Sequence, residues 1–238
     1  MLIHRKAQAL AAFAWNDCPS DPSPANRKSF SCDGSDFLVL PDMLAQLRRP
    51  QGTLDILLPA PEHISAVPLA IRFTLSLILN DSGGIILHSA GLVSGGKAFV
   101  FFGVSGSGKS TIARLSAADV VLSDEMVIIH QRDHRWLASG TPFHSRFVAG
   151  SNTTAELAAL IKLTKAPFNR CRPLPQRIAA QKLLKAAFVL DDQPSPKLRC
   201  AGNVLCSLQS VPVYELEFRP EPAVWPFVLK ELEHLWRT

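Results

Sequence analysis

Near the middle of the chain, Gly103-Val104-Ser105-Gly106-Ser107-Gly108-Lys109-Ser110-Thr111 carries the spacing G-x-x-x-x-G-K-[ST]. The chemistry that spacing suits is the holding of a polyphosphate. Glycines at 103, 106 and 108 allow backbone conformations closed to residues with a Cβ. Backbone N–H groups around Ser105 and Ser107 can then turn inward and join the start of a following helix in one anion site. Lys109 would reach the β- and γ-phosphates as a mobile point charge. The Ser110 hydroxyl is a hard oxygen ligand for Mg²⁺, with Thr111 supporting the α- or β-phosphate. ATP and Mg²⁺ are the expected cofactors.

Such a site needs a carboxylate for its metal at the end of a nearby buried strand. Val120-Val121-Leu122-Ser123-Asp124-Glu125 offers two. Adjacent side chains at a strand end face different ways, so one can serve Mg²⁺, expected at Ser110 and Asp124, while the other faces an acceptor. An ordinary acidic turn is the alternative. His88 lies on the preceding apolar run and by itself reads as a core or surface histidine. Thr141-Pro142-Phe143-His144-Ser145-Arg146 is an ordinary loop or a polar cluster that brings His144 and Arg146 to phosphates. From Lys162 to Lys185 the chain holds Lys162, Lys165, Arg170, Arg172, Arg177, Lys182 and Lys185 with no acidic residue among them. That stretch is the solvated face of helices or a rim for an anionic partner, with Arg170 and Arg172 as substrate contacts.

The elements that must position these residues follow from the punctuation of the chain. Residues 17–36 are rich in Pro, Ser and Asp and read as a loop or linker. Phe37–Leu40 and Leu54–Leu58 read as strands, and Ile64–Leu79 as a buried helix that falls short of a membrane span and stops at Asn80-Asp81-Ser82-Gly83-Gly84. Ile85–Val93 and Ala98–Val104 flank Ser94-Gly95-Gly96 as a hairpin leading into the glycine loop. A helix from about Lys109 and a strand at Val120–Ser123 come next; Met126–His130 continues that strand or returns from it, and Trp136–Ser139 adds another. Thr153–Thr164 and Pro175–Phe188 are expected as helices, Val211–Phe218 as a strand and Pro222–Trp236 as an amphipathic helix. The fold class is α/β, a mixed sheet with flanking helices, with a small module at 1–84 before a catalytic domain at 85–238.

Composition narrows the rest. With 238 residues, 47% apolar and 19% charged, a sizeable core can form. A net charge of +5 is too weak and too spread to argue for nucleic acid. Cys18, Cys32, Cys171, Cys200 and Cys206 form no C-x-x-C pair, and the N-terminus does not resemble a signal peptide. A reducing cytoplasm and no membrane partner are expected; a homo-oligomer stays open.

The run Ile86-Leu87-His88, Lys97–Val104, the glycine loop and Leu122-Ser123-Asp124-Glu125-Met126-Val127-Ile128 together resemble the catalytic domain of HPr kinase/phosphorylase and its related proteins. The resemblance covers about residues 85–130, and more loosely Gly140–Arg146 and Val211–Phe218. It implies a P-loop kinase fold similar to that of phosphoenolpyruvate carboxykinase. It gives His88, Lys109, Ser110, Asp124 and Glu125 catalytic or metal-holding roles, with the second acidic residue as base; Glu125 reaches one methylene further than the family's aspartate. Small relatives also resemble kinases of lasso-peptide and other ribosomal-peptide clusters, which phosphorylate a serine of a precursor peptide. The leading reading is an ATP-dependent kinase acting on a serine hydroxyl of a peptide or small protein. A small-molecule kinase and a nucleotide-binding regulator with little turnover stand beside it.

Overall fold

The computed structural model describes residues 28–116, 118–145, 150–190 and 194–235. The chain divides into two compact units: residues up to Ile78 with Val189–Lys197, and Leu79–Phe188 with residues from Leu198 onward.

The first unit carries a four-stranded antiparallel meander of β1 (Lys28–Cys32), β2 (Ser35–Leu40), β3 (Met43–Arg48) and β4 (Thr53–Leu57). Two of these strands correct the expected loop at 17–36, whose first part, to residue 27, lies outside the described residues. Asp33-Gly34 is the reason: both residues have positive φ, 49° and 73°, and make the two-residue turn that joins β1 to β2. The polar edge strand β1 buries little except Ser29, so it lacks the apolar run that marks a strand. Phe30 stacks on Phe37 across the pair at 4.9 Å, and Phe37, Val39 and Leu44 form a small core with Leu57 against it.

A 3-10 turn at Pro61–Ala66 runs into helix α1 (Val67–Asp81). Together they span 21 residues, long and apolar enough to cross a membrane. The length argument against a span therefore does not hold. Phe73 and Leu77 are buried within the chain, whereas Ile64 is 65% exposed.

The second unit is built on an eight-stranded mixed sheet. β5 (Ile85–Ser94) and β6 (Lys97–Phe102) form the expected hairpin, and helix α2 (Lys109–Leu115) follows the glycine loop. β7 (Val120–Ser123) and β8 (Met126–Arg132) both pair antiparallel with β5, at Gly91–Val93 and at Ile85–His88 respectively. Met126 thus continues the line of β7, and Asp124-Glu125 is a short excursion between two stretches that lie along the same side of β5. β9 (Arg135–Ser139) returns along β8.

The segment expected as a helix at Thr153–Thr164 is instead the long strand β10 (Thr154–Lys165). It lies parallel to β6 on one side and to β12 (Val213–Phe218) on the other. Leu157–Ile161 is buried without a break because the sheet is covered on both faces. A strand in that position shows no alternation, and its Ala- and Leu-rich composition then reads as helix. β11 (Arg170–Pro173), unmarked by any apolar pattern, adds an edge to β12. The order is β11-β12-β10-β6-β5-β8-β9, with β9 also pairing back to the start of β10.

Helices α3 (Gln176–Ala186), α4 (Pro194–Ser207) and α5 (Val224–Glu231) complete the described chain; α4 was not expected from its polar, Pro-containing sequence. On one face of the sheet Phe99, Phe101, Ile161 and Phe218 pack with Ile112 of α2 and Trp225 and Val228 of α5. The Trp225 ring meets Phe99 edge-on at 6.1 Å. Phe102, one residue past Phe101 and so on the other face, lines a cavity with Ala186 of α3.

Candidate functional site

β6 is a central strand, buried from Ala98 to Phe102, and it delivers Gly103 at the end of the sheet. The loop then closes tightly on itself. A Cβ on Gly103 would lie 2.6 Å from the Ser107 hydroxyl, and Ser107 N–H donates to the Val104 carbonyl at 3.0 Å. Gly108 has φ 105°, and a Cβ there would sit 2.6 Å from the Phe218 ring at the end of β12. Only glycine meets both constraints at the entrance to α2.

Lys109 is 7% exposed. Its ammonium folds over the loop and donates to the carbonyls of Gly103 (3.2 Å) and Val104 (3.4 Å). Burial lowers its pKa from the ordinary lysine value. A cation held this way lies beside any anion cradled by the loop.

The excursion between β7 and β8 sets its two carboxylates in different surroundings. Asp124 is 2% exposed, while Glu125 is half-buried. The Asp124 carboxylate accepts the Ser145 N–H at 2.8 Å and the Ser145 hydroxyl, and a further hydrogen bond from the Ser110 hydroxyl. Burial alone would raise this acid; the hydrogen bonds from Ser145 and Ser110 outweigh it and leave the carboxyl below its ordinary value. Asp124 is ionised at neutral pH.

Ser145 is held in place by the loop that carries it. The Ser123 hydroxyl donates to the Phe143 carbonyl at 2.7 Å and accepts the N–H groups of Glu125 and Met126, and the Thr141 hydroxyl donates to the Met126 carbonyl at 2.7 Å. The polar cluster at 141–146 therefore contributes a hydroxyl and an amide. His144 is exposed, with its ring hydrogen-bonded to the Ser145 carbonyl and outside the cleft lining, and Arg146 lies outside the described residues.

These pieces meet in a cleft of about 330 Å³ bordered by His88, Lys109, Ser110, Asp124, Glu125 and Ser145. Ser105, Gly106, Gly108 and Thr111 complete the wall on the loop side. His88 is exposed on β5 opposite Met126 and borders the same cleft as the two carboxylates. Among the described residues no group of three or more His, Cys, Asp or Glu side chains could hold a metal by itself. Ser110 with Asp124 is a pair of hard oxygen donors that suits Mg²⁺ sharing its shell with phosphate oxygens and water.

The basic stretch is divided by the sheet. Arg170 and Arg172 lie on β11, paired with Glu217 and Glu215 of β12, and neither borders the cleft. Lys162 is also paired with Glu215. Lys165, at the end of β10, does border it. Sequence reasoning left out Ser145 and Lys165 as site residues. In sequence Ser145 is only one member of the polar cluster at 141–146, where His144 and Arg146 draw the attention, and Lys165 stands out only once β10 is known to end beside the loop.

The model of the family described as SynChlorMet cassette protein ScmC matches residues 65–230. No curated protein matches the chain. Among solved structures the chain is similar to the Hpr(Ser) kinase/phosphatase from Coxiella burnetii at 15% identity, over 52% of this chain and 89% of that one, with a TM-score of 0.26. That likeness is too slight to place residues by.

Proposed function

The chain belongs to the SynChlorMet cassette protein ScmC family, and on that premise we propose that it is an ATP-dependent phosphotransferase acting on a hydroxyl group. The observation that carries this reading is the convergence, in one cleft, of the glycine loop, the buried Lys109 and an ionised Asp124 tied to Ser110, with the half-buried Glu125 beside them. A protein that only binds nucleotide needs the loop and the cation. A second carboxylate bordering the same cleft suits a reaction in which a proton must be taken.

Loop N–H groups and Lys109 hold the β- and γ-phosphates and meet the charge that builds during transfer. Ser110 and Asp124 would hold Mg²⁺, which when bound neutralises phosphate charge. Glu125 accepts the proton of the attacking hydroxyl as its oxygen bonds to the γ-phosphorus, and the bond from that phosphorus to the bridging oxygen breaks to leave ADP. His88 stands where it can orient the acceptor or the γ-phosphate. The acceptor we favour is a serine of a peptide or small protein, a precursor peptide among them. A cytoplasmic location, where ATP is available, goes with this reading.

The test is incubation with γ-labelled ATP and a panel of serine-bearing peptides, HPr and free hydroxylated metabolites, followed by mass shift. One added phosphate on a peptide is the expected result. Label on a metabolite alone would replace the acceptor class. Tight ATP binding without transfer to any of them would make the protein a nucleotide-dependent regulator.

A further inference from the structure

A second cavity, of about 450 Å³, borders residues 103–107 of the glycine loop and holds none of Lys109, Ser110, Asp124 or Glu125 in its wall. Its apolar floor includes Phe102, Leu163 and Ala186, and its rim carries Lys165, Lys182 and Lys185; among the described residues no carboxylate lines it. All three lysines are exposed, and none has an ion-pair partner among the described residues. Lys162 also reaches this wall, but it is ion-paired with Glu215, a partner it shares with Arg172, while Arg170 pairs with Glu217. Of the whole basic stretch, these three cations are the ones gathered at one opening without an opposing charge among the described residues.

Lys182 and Lys185 stand three apart on one face of α3, where like charges repel. Lys165 joins them from the end of β10. A cavity so lined is relieved by an anion. Ammonium groups on long stems act as movable point charges, unlike the fixed fork of arginine, and so fit carboxylates spread along a flexible chain. The apolar floor suits the methylene parts of such residues. Lys165 and the Ser105–Gly106 edge of the loop border both this cavity and the cleft with Lys109 and Glu125. An occupant of the second cavity can therefore continue into the place where a hydroxyl meets the γ-phosphate.

We propose that the cavity rimmed by Lys165, Lys182 and Lys185 binds a carboxylate-rich segment of the acceptor peptide, adjacent to the hydroxyl that is phosphorylated. The inference rests on the loop being the triphosphate site.

The experiment uses the full chain and two probes: a fluorescein-labelled peptide with glutamates on both sides of one serine, and mant-ATP. In Lys182→Glu/Lys185→Glu the dissociation constant for the peptide should rise at least about tenfold, and its salt dependence should flatten. That for mant-ATP should stay within about twofold. Lys182→Gln/Lys185→Gln should give a smaller loss in the same direction, and unchanged circular dichroism and melting midpoints show that both variants fold. Equal binding of the glutamate peptide and its all-glutamine counterpart by the wild type would overturn the proposal. So would an unchanged peptide affinity in the charge-reversed variant. Equal weakening of both probes would assign the cavity to the nucleotide instead. Failure of mant-ATP to bind the wild type would sink the triphosphate reading of the loop, a result separate from the peptide arm.

Discussion

Lys109 and Glu125 border one cleft but are expected to fail in different ways. Lys109→Ala removes the cation that the carbonyls of Gly103 and Val104 hold over the glycine loop. Transfer should fall on the order of 10²-fold or more, with loss of nucleotide affinity, while the fold survives. Glu125→Gln should leave mant-ATP binding nearly intact and lower the transfer rate by about 10²–10⁴, the range for losing a general base. Titration of nucleotide beside single-turnover kinetics separates the two, and an unchanged rate in the glutamine variant would hand the base role to Asp124 or to the substrate. Ser145 acts through Asp124. With Ser145→Ala two hydrogen bonds that hold this acid down are lost or weakened, and burial then pushes it up. A group with a lowered pKa keeps its ionised form further into acid, so raising it should move the acid limb of the pH–rate profile to higher pH and increase the Mg²⁺ needed at a given pH. A variant that loses rate equally at every pH and Mg²⁺ concentration would leave Ser145 a packing residue.

At the scale of the element, the entrance to α2 depends on a backbone that an L side chain resists. Gly108 combines φ 105° with a Phe218 ring 2.6 Å from where a Cβ would lie, whereas Gly106 has φ 75° and nothing within 4 Å. Gly106→Ala should therefore cost the backbone strain alone, about 1–2 kcal/mol. Gly108→Ala adds a clash with a fully buried ring and should cost about 2–4 kcal/mol, with loss of nucleotide binding. Denaturant unfolding of the two variants checks the order; equal losses would mean that Phe218 yields freely. The hairpin β5–β6, the loop and the helix after it were legible in sequence because each is a local signal: an apolar run, a Ser-Gly-Gly turn, a glycine-rich spacing. β10 was not, because whether Leu157–Ile161 becomes a helix or a strand depends on neighbours found only at β6 and β12. Its misreading as a helix also misplaced the basic stretch that begins on it.

Across the whole sheet, Glu215 ties three strands together: it accepts from Lys162 and Thr164 of β10 and from Arg172 of β11 while itself on β12. Burial raises this carboxyl, but the hydrogen bonds of Lys162, Arg172 and Thr164, helped by the Lys162 charge, bring it down to about 2. A depressed acid contributes stability that is present above its unfolded pKa and is lost as pH falls through the folded one. The wild type should therefore exceed Glu215→Gln by about 1–2 kcal/mol at neutral pH, after allowing for solvent around the exposed Arg172. That margin should shrink as the pH drops from about 4.5 toward 2. Unfolding curves of both proteins over that range measure it, and a margin that persists in acid would mean that Glu215 packs rather than pairs.

The residue types and spacing of 103–111 and 120–125 were enough to foresee a glycine loop between a strand and a helix and a carboxylate pair after the next strand, because those features are written in a few contiguous residues. Tertiary structure decided which groups share the cleft. It brought Ser145 across from another loop to hold Asp124, and it set Lys165 beside the glycine loop by laying β10 parallel to β6. It also cancelled Arg170 and Arg172 against Glu217 and Glu215, more than forty residues later in the chain. Contacts at such separations depend on strand pairing, and strand pairing is settled by which faces of the sheet are buried rather than by any local pattern.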